Sequence, residues 1–307
     1  MEFFDELEKN GVKTTPEQRK AIEERFIQSL HYEPKIGFFG KTGVGKSSLC
    51  NALFGQDICE INDVKACTRD PKTILAKISG KGITLMDVPG VGESIERDEE
   101  YAELYAKLLP ELDLCLWVLK ADDRAYSSDE KFYRDIVTPH LQEGKPFLFA
   151  LNQVDKIEPV RDWDEANKKP GNKQEVNIDV KKADVSSIFN RRITEVIPVS
   201  ANEKYHLVEL MNTIIHSLPP NRRYTVYHSV PKENRSKIQE NYANEGLSDQ
   251  IRAIIREELG DRAEKETKAI EKSSGDGFWE FLGGLAKEAI KILLSGPTFP
   301  IPPFPLF

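Results

Sequence analysis

The sequence predicts an α/β fold: a doubly wound, mostly parallel sheet, preceded by a helix and followed by a helical extension. Three observations carry this. From residue 35 onward, short apolar runs alternate with helix-length amphipathic segments. Two of those runs, TILAKI and ITLMDV, are joined by SGKG, a hairpin signal that adds one antiparallel edge strand. The first run, KIGFFG, passes through a glycine-rich loop straight into a helix-like pattern.

The elements follow in chain order. Residues 1–34 form an N-terminal helical segment. Within it Thr15-Pro16-Glu17-Gln18 supplies an N-cap, a proline at the first helical position and a capping-box partner. Ile22, Phe26 and Leu30 then recur at helical spacing. Residues 35–220 form the main domain. Its expected strands are KIGFFG, TILAKI, ITLMDV, LCLWVL, FLFALN and EVIPVS, and its expected helices are 46–55, 97–109, 128–138, 185–192 and 207–217. Residues 156–184 are highly polar, contain PGNK, and read as a partly helical surface insertion. LPPNRR at 218–223 closes the domain. A helical extension spans 221–275, with a helix over LSDQIRAIIREELG capped by Ser248. SSGDG at 273–277 is a flexible break before an amphipathic, apolar tail over 276–307. No internal repeat is visible.

Composition narrows the function. The 307 residues carry a net charge of −8, with 39% hydrophobic and 31% charged residues, as globular proteins do. Residues 221–275 hold 11 Lys and Arg against 10 Asp and Glu, so the extension has no basic surplus either. A nucleic-acid partner is therefore not favoured. Cysteines 50, 59, 67 and 115 show no CxxC or metal-ligand spacing and read as thiols of a reducing compartment. The acidic MEFFDELEKN start is no secretory signal, and no run of about 18 apolar residues exists to span a membrane. The expected location is cytoplasmic, with peripheral membrane contact through the tail as the alternative.

Gly40-Lys41-Thr42-Gly43-Val44-Gly45-Lys46-Ser47 fits G-x-x-x-x-G-K-[ST] at every fixed position, and Ser48 continues the helix start. The glycines let the backbone curl and point successive amides at phosphate oxygens. The helix that follows presents its positive end to the same anion. Lys46 is placed to reach the β- and γ-phosphates, and the Ser47 hydroxyl to ligate Mg²⁺. The remaining motifs choose the base. Asp87-Val88-Pro89-Gly90 ends one strand: Asp87 can hold Mg²⁺ through water, and Gly90 frees the next peptide to meet the γ-phosphate. Asn152-Gln153-Val154-Asp155 ends another, where Asp155 can accept two hydrogen bonds from guanine that adenine cannot offer. Ser200-Ala201-Asn202 follows a third, where a backbone amide can read the guanine O6. All lie at carboxyl ends of expected strands, where open α/β sheets bind ligands.

Together these residues resemble the translation-factor class of P-loop GTPases, closest to its Era-like branch, over about 35–218. The whole chain is similar to GTPases carried on bacterial prophages and genomic islands. DVPG resembles the branch's DxPG, and Cys67-Thr68-Arg69-Asp70 its T-[TS]-R segment. The resemblance implies that Thr68 closes on Mg²⁺ and the γ-phosphate, and that Lys46, Thr68 and Gly90 serve hydrolysis. Three positions depart from related patterns. Gln153 stands where the family usually has lysine, which bears on affinity more than on base choice. Val91 stands where Ras-like proteins orient water with glutamine, a replacement the Era-like branch shares. Gly43 stands where potassium-activated relatives carry asparagine.

The function expected is Mg²⁺-dependent GTP binding and slow hydrolysis to GDP, used as a switch. The alternative is a guanine-nucleotide-gated binding module that scarcely hydrolyses and docks a membrane or protein. Arg69 and Arg124 are candidate charge stabilisers, in cis or across a nucleotide-dependent homodimer, against an ordinary surface role. Asp122 and Asp123, with Arg124, read as a solvated loop, against a surface that lines a partner, and His140, His206 and His216 as structural or surface residues. In the tail, Phe278, Phe281, Leu282, Leu285, Ala289, Ile292 and Leu293 share one helical face opposite Glu280, Lys287 and Lys291, with Glu288 at the border. This face either covers a hydrophobic strip on the main domain or the N-terminal helix, or docks a membrane interface or partner.

Overall fold

The computed structural model describes residues 2–30, 32, 34–55, 74–77, 84–87, 105–141, 144–273 and 277–295. Its strands are β1 (Lys35–Phe39), β2 (Ile74–Lys77), β3 (Thr84–Asp87), β4 (Leu114–Lys120), β5 (Phe147–Asn152) and β6 (Val196–Pro198). They form one sheet in the order β2-β3-β1-β4-β5-β6. Every pairing is parallel except β2 with β3, which is antiparallel, as the hairpin signal predicts.

The sheet is covered on both faces, and β4 shows why its sequence is apolar throughout. Leu114, Leu116 and Val118 enter one core with α3 (Lys46–Phe54) and, later in the chain, α6 (Leu207–Ser217). Cys115, Trp117 and Leu119 alternate to the other face. There they meet α4 (Ser127–Phe132), a π turn over Tyr133–Val137, and α5 (Asn172–Ile188). A strand buried on both sides has no polar face to show. Each buried Leu, Ile or Phe contributes about 1.5–3 kcal/mol.

The two ends of the chain meet. Helices α1 (Glu2–Lys9) and α2 (Pro16–Leu30) share one core with α8 (Lys237–Leu259), α9 (Asp261–Ser273) and α10 (Gly277–Ser295). The capping box forms as read: Thr15 Oγ1 accepts from the Gln18 amide at 3.2 Å, and Gln18 Oε1 from the Thr15 amide at 3.0 Å. α7 (Pro220–Ser229) links this layer to the sheet and packs so closely on α8 that a Cβ on Gly246 would lie 2.1 Å from the Pro220 carbonyl. Asn234 Nδ2 donates to the Ala52 and Leu53 carbonyls at 2.7 and 3.0 Å, satisfying the end of α3.

Two expectations need correction. The helix read over 185–192 is the end of α5, which begins at Asn172 and takes up much of the expected insertion. The helix read from Ser248 begins at Lys237, capped by Ser236, whose side chain accepts from the Gln239 amide. Ser248 lies mid-helix, buried, donating to Glu271 Oε1 at 2.7 Å. Of the helix read over 97–109, residues 97–104 lie outside the described residues. So do Cys59 and Cys67, while Cys50 and Cys115 are buried and form no disulfide among the described residues. In α10, Phe278, Leu282 and Leu285 are buried, and Phe281 stacks on Phe3 with ring centroids 4.8 Å apart. Over these residues the apolar face covers the N-terminal helices. The side chains of Ala289, Ile292 and Leu293 lie outside the described residues. No described helix is long and apolar enough to cross a membrane.

Candidate functional site

β1 delivers the chain to Gly40, and α3 carries it away from Lys46, so the loop between turns at the carboxyl edge of the sheet. Gly40 has φ 130° and Gly45 φ 91°, backbone that side-chain-bearing residues rarely adopt. Space enforces both: a Cβ on Gly40 would lie 2.2 Å from the Val118 carbonyl, and one on Gly45 2.6 Å from Asn152 Nδ2. Lys46 Nζ donates to the Gly40 and Lys41 carbonyls, each at 3.1 Å, which holds its ammonium against the loop. Ser47 and Ser48 sit half-buried in the first turn of α3, while Thr42 and Gly43 are exposed. A curled loop with a lysine and a helix N-terminus is suited to polyphosphate.

The loop is fastened from the side. Lys41 Nζ pairs with Asp129 Oδ2 at 2.5 Å, and Asp129 is only 1% exposed. Trp117 Nε1 approaches Asp129 Oδ1 at 3.4 Å. Burial pushes the Asp129 carboxyl above the ordinary carboxylate range, and the Lys41 ammonium pulls it back. The pair links the loop to α4 and the aromatic core.

A second fastening comes from β5. Asn152, at its carboxyl end and 1% exposed, donates from Nδ2 to the Val44 carbonyl at 2.9 Å and accepts at Oδ1 from the Ala201 amide at 3.1 Å. Gln153 follows with φ 64° and reaches the same Val44 carbonyl at 3.4 Å, and its Oε1 accepts from Lys156 Nζ at 2.8 Å. The chain then turns through Val154–Lys156. Here Asp155 Oδ1 is buried with no hydrogen-bond partner among the described residues. A buried acceptor of this kind is costly unless donors reach it. Ser200, fully buried, exchanges backbone hydrogen bonds with Tyr205 at 3.2 and 3.0 Å and closes the 200–205 loop; Asn202 is exposed and donates to Glu203 at 2.6 Å.

The structure therefore brings Lys41, Val44, Gly45, Lys46, Asn152, Gln153, Ser200 and Ala201 into one connected edge. Asp87 ends β3 in register with Phe38 of β1, beside the loop; its side chain is not among those described. Thr68 and Gly90, with Arg69 and Val91, lie outside the described residues. Arg124 is exposed. His140 and His216 are exposed, the latter 4.7 Å ring to ring from Tyr242, and His206 stacks on Tyr205 at 3.8 Å. Among the described residues no group of three His, Cys, Asp or Glu could hold a metal.

Two residues around this edge escape sequence reading. Asp129 looks like an ordinary acid in the first turn of a helix. Gln174 lies in the polar stretch at 156–184, where no periodic signal marks it, yet it is fully buried against the Asp155 turn.

The chain is similar to known proteins over this region. Residues 35–153 match the family described as 50S ribosome-binding GTPase. Two uncharacterized proteins of Escherichia coli K12, YfjP and YkfA, are 37% and 38% identical over 238 residues, covering 76% of this chain and 80% of each relative. GTPase Era of Aquifex aeolicus is 28% identical over 196 residues, covering 60% of this chain and 58% of its own.

Proposed function

The chain belongs to the 50S ribosome-binding GTPase family, and on that footing we propose that it binds GTP and GDP at the edge just described and hydrolyses GTP slowly with Mg²⁺, as a nucleotide-dependent switch. The observation that carries the choice of base is the buried Oδ1 of Asp155, without a hydrogen-bond partner among the described residues. Guanine offers N1–H and a 2-amino group side by side to such a carboxylate; adenine offers an acceptor at N1. A site built for donors rejects the analogue that lacks them by orders of magnitude.

The other residues take roles that follow from their chemistry. Amides of Gly43, Val44 and Gly45 and the N-terminus of α3 receive the phosphates, and Lys46 exchanges its loop carbonyls for β- and γ-phosphate oxygens. Ser47 and Thr68, with Asp87 through water, would hold Mg²⁺, which supplies charge neutralisation to the phosphate oxygens. Asn152 keeps the phosphate loop and the Ala201 amide in register, so that base and phosphate sites act together. Gly90 leaves its following peptide free to approach the γ-phosphate. Val91 has no group to orient water, which makes unassisted turnover slow.

Single-turnover hydrolysis of γ-labelled GTP tests this. Phosphate should be released slowly in Mg²⁺, at about the 10⁻⁴–10⁻² s⁻¹ of unassisted GTPases. EDTA or Lys46→Ala should abolish it. Release that persists unchanged in either would refute the assignment.

A further inference from the structure

We infer that Gln174 sets base specificity by positioning: the first turns of α5 clamp the turn that carries Asp155, so the guanine-reading carboxylate is held by a helix outside the motif it belongs to. This rests on the reading of Asp155 given above.

The clamp is built from side-chain donors of one helix on backbone acceptors of the turn, the Gln174–Ile157 bond buried and the Asn177–Glu158 bond exposed. Gln174 Nε2 donates to the Asp155 carbonyl at 3.1 Å and to the Ile157 carbonyl at 2.8 Å. One turn later Asn177 Nδ2 donates to the Glu158 carbonyl at 2.7 Å. Three backbone carbonyls of 155–158 are thus tied to one helix. The helix start is itself fixed. Asp162 Oδ2 accepts from the Lys173 and Gln174 amides at 2.9 and 3.1 Å, and a Cβ on Gly171 would lie 2.4 Å from the Asp162 carbonyl. The amide orientation of Gln174 is fixed by its surroundings, since the reversed amide would face two carbonyls with an oxygen.

Gln174 fits specificity better than space-filling. It is fully buried, and its own Oε1 has no hydrogen-bond partner among the described residues. A side chain kept only for packing would not carry that desolvation cost. On the same helix Ile178 and Val185 supply the packing, while Val176 and Val180 are 61% and 55% exposed, so the inward place of an amide at 174 is not explained by an apolar face alone. What the inward amide reaches is the backbone of the residue whose carboxylate must meet two donors at once.

The test compares GDP with inosine diphosphate, which lacks only the 2-amino group, by equilibrium titration of the full chain. Wild type should prefer GDP. Gln174→Met, similar in shape but without donors, should lower GDP affinity by about tenfold and inosine diphosphate affinity much less, so that the preference shrinks several-fold. A packing defect alone would weaken both ligands alike and leave the ratio unchanged. Should Gln174→Met not fold, Asp162→Ala, which frees the helix start, must shift the same ratio in the same direction. A wild-type preference that survives in the variants overturns the role of Gln174 and leaves the Asp155 reading standing. The absence of any wild-type preference overturns the Asp155 reading itself.

Discussion

Asn152 joins two loops that are far apart in sequence, donating to the Val44 carbonyl at 2.9 Å and accepting from the Ala201 amide at 3.1 Å. With the side chain 1% exposed, no solvent can take its place. The phosphate loop and the loop after β6 therefore share one buried amide.

Asn152→Ala should cost about 2–4 kcal/mol, because a buried carbonyl and a buried amide lose their partner together. Urea denaturation should show a lower midpoint with an unchanged slope, and nucleotide affinity should fall for GDP and GTP alike. A midpoint within error of wild type would show that the two loops hold their places without it.

The helical layer carries a pH dependence. Burial, with the Arg235 guanidinium adding to it, lowers His228 from 6.5 to about 4. A base whose folded pKa is depressed contributes stability above its unfolded pKa and loses it as pH falls towards the folded one. Thermal stability should therefore hold above about pH 7 and decline between 6.5 and 4, by at most about 3 kcal/mol from this group. His228→Gln should flatten that part of the curve. An equally steep decline in the variant would assign it to other groups.

The tail helix belongs to the core over its described side chains. Phe278 is fully buried, edge-on to Phe3 with centroids 5.6 Å apart. Phe278→Ala should cost about 3–5 kcal/mol, and deletion from residue 277 should expose α1 and α2 and lower the melting temperature further. A truncated chain that melts like the full one would contradict this packing.

How much of this is legible in the sequence depends on where the signal lies. The phosphate loop can be read because its glycines answer to backbone geometry, at Gly40 and Gly45, that few other residues satisfy. The sheet can be read because strands buried on both faces are apolar throughout, as β4 and β5 are. α5 escapes because its buried positions are Gln174, Ile178 and Val185 while its other valines face outward, so no apolar stripe forms. Ser248 misleads for a related reason. Serine favours helix starts in general, but here a half-buried ion pair of Arg252 and Glu271 gives its hydroxyl partners mid-helix. The pairing of Lys41 with Asp129 joins residues 88 positions apart and leaves no local pattern.

Competition titration against a labelled GDP bears most directly on the central claim, that this edge binds guanine nucleotides through Asp155. Unlabelled GTP and GDP should displace the label and ATP should not at comparable concentration. Asp155→Asn should weaken GDP and admit xanthosine diphosphate, because one acceptor becomes a donor. Displacement by ATP as effective as that by GTP, or an Asp155→Asn variant with unaltered base preference, would contradict the claim.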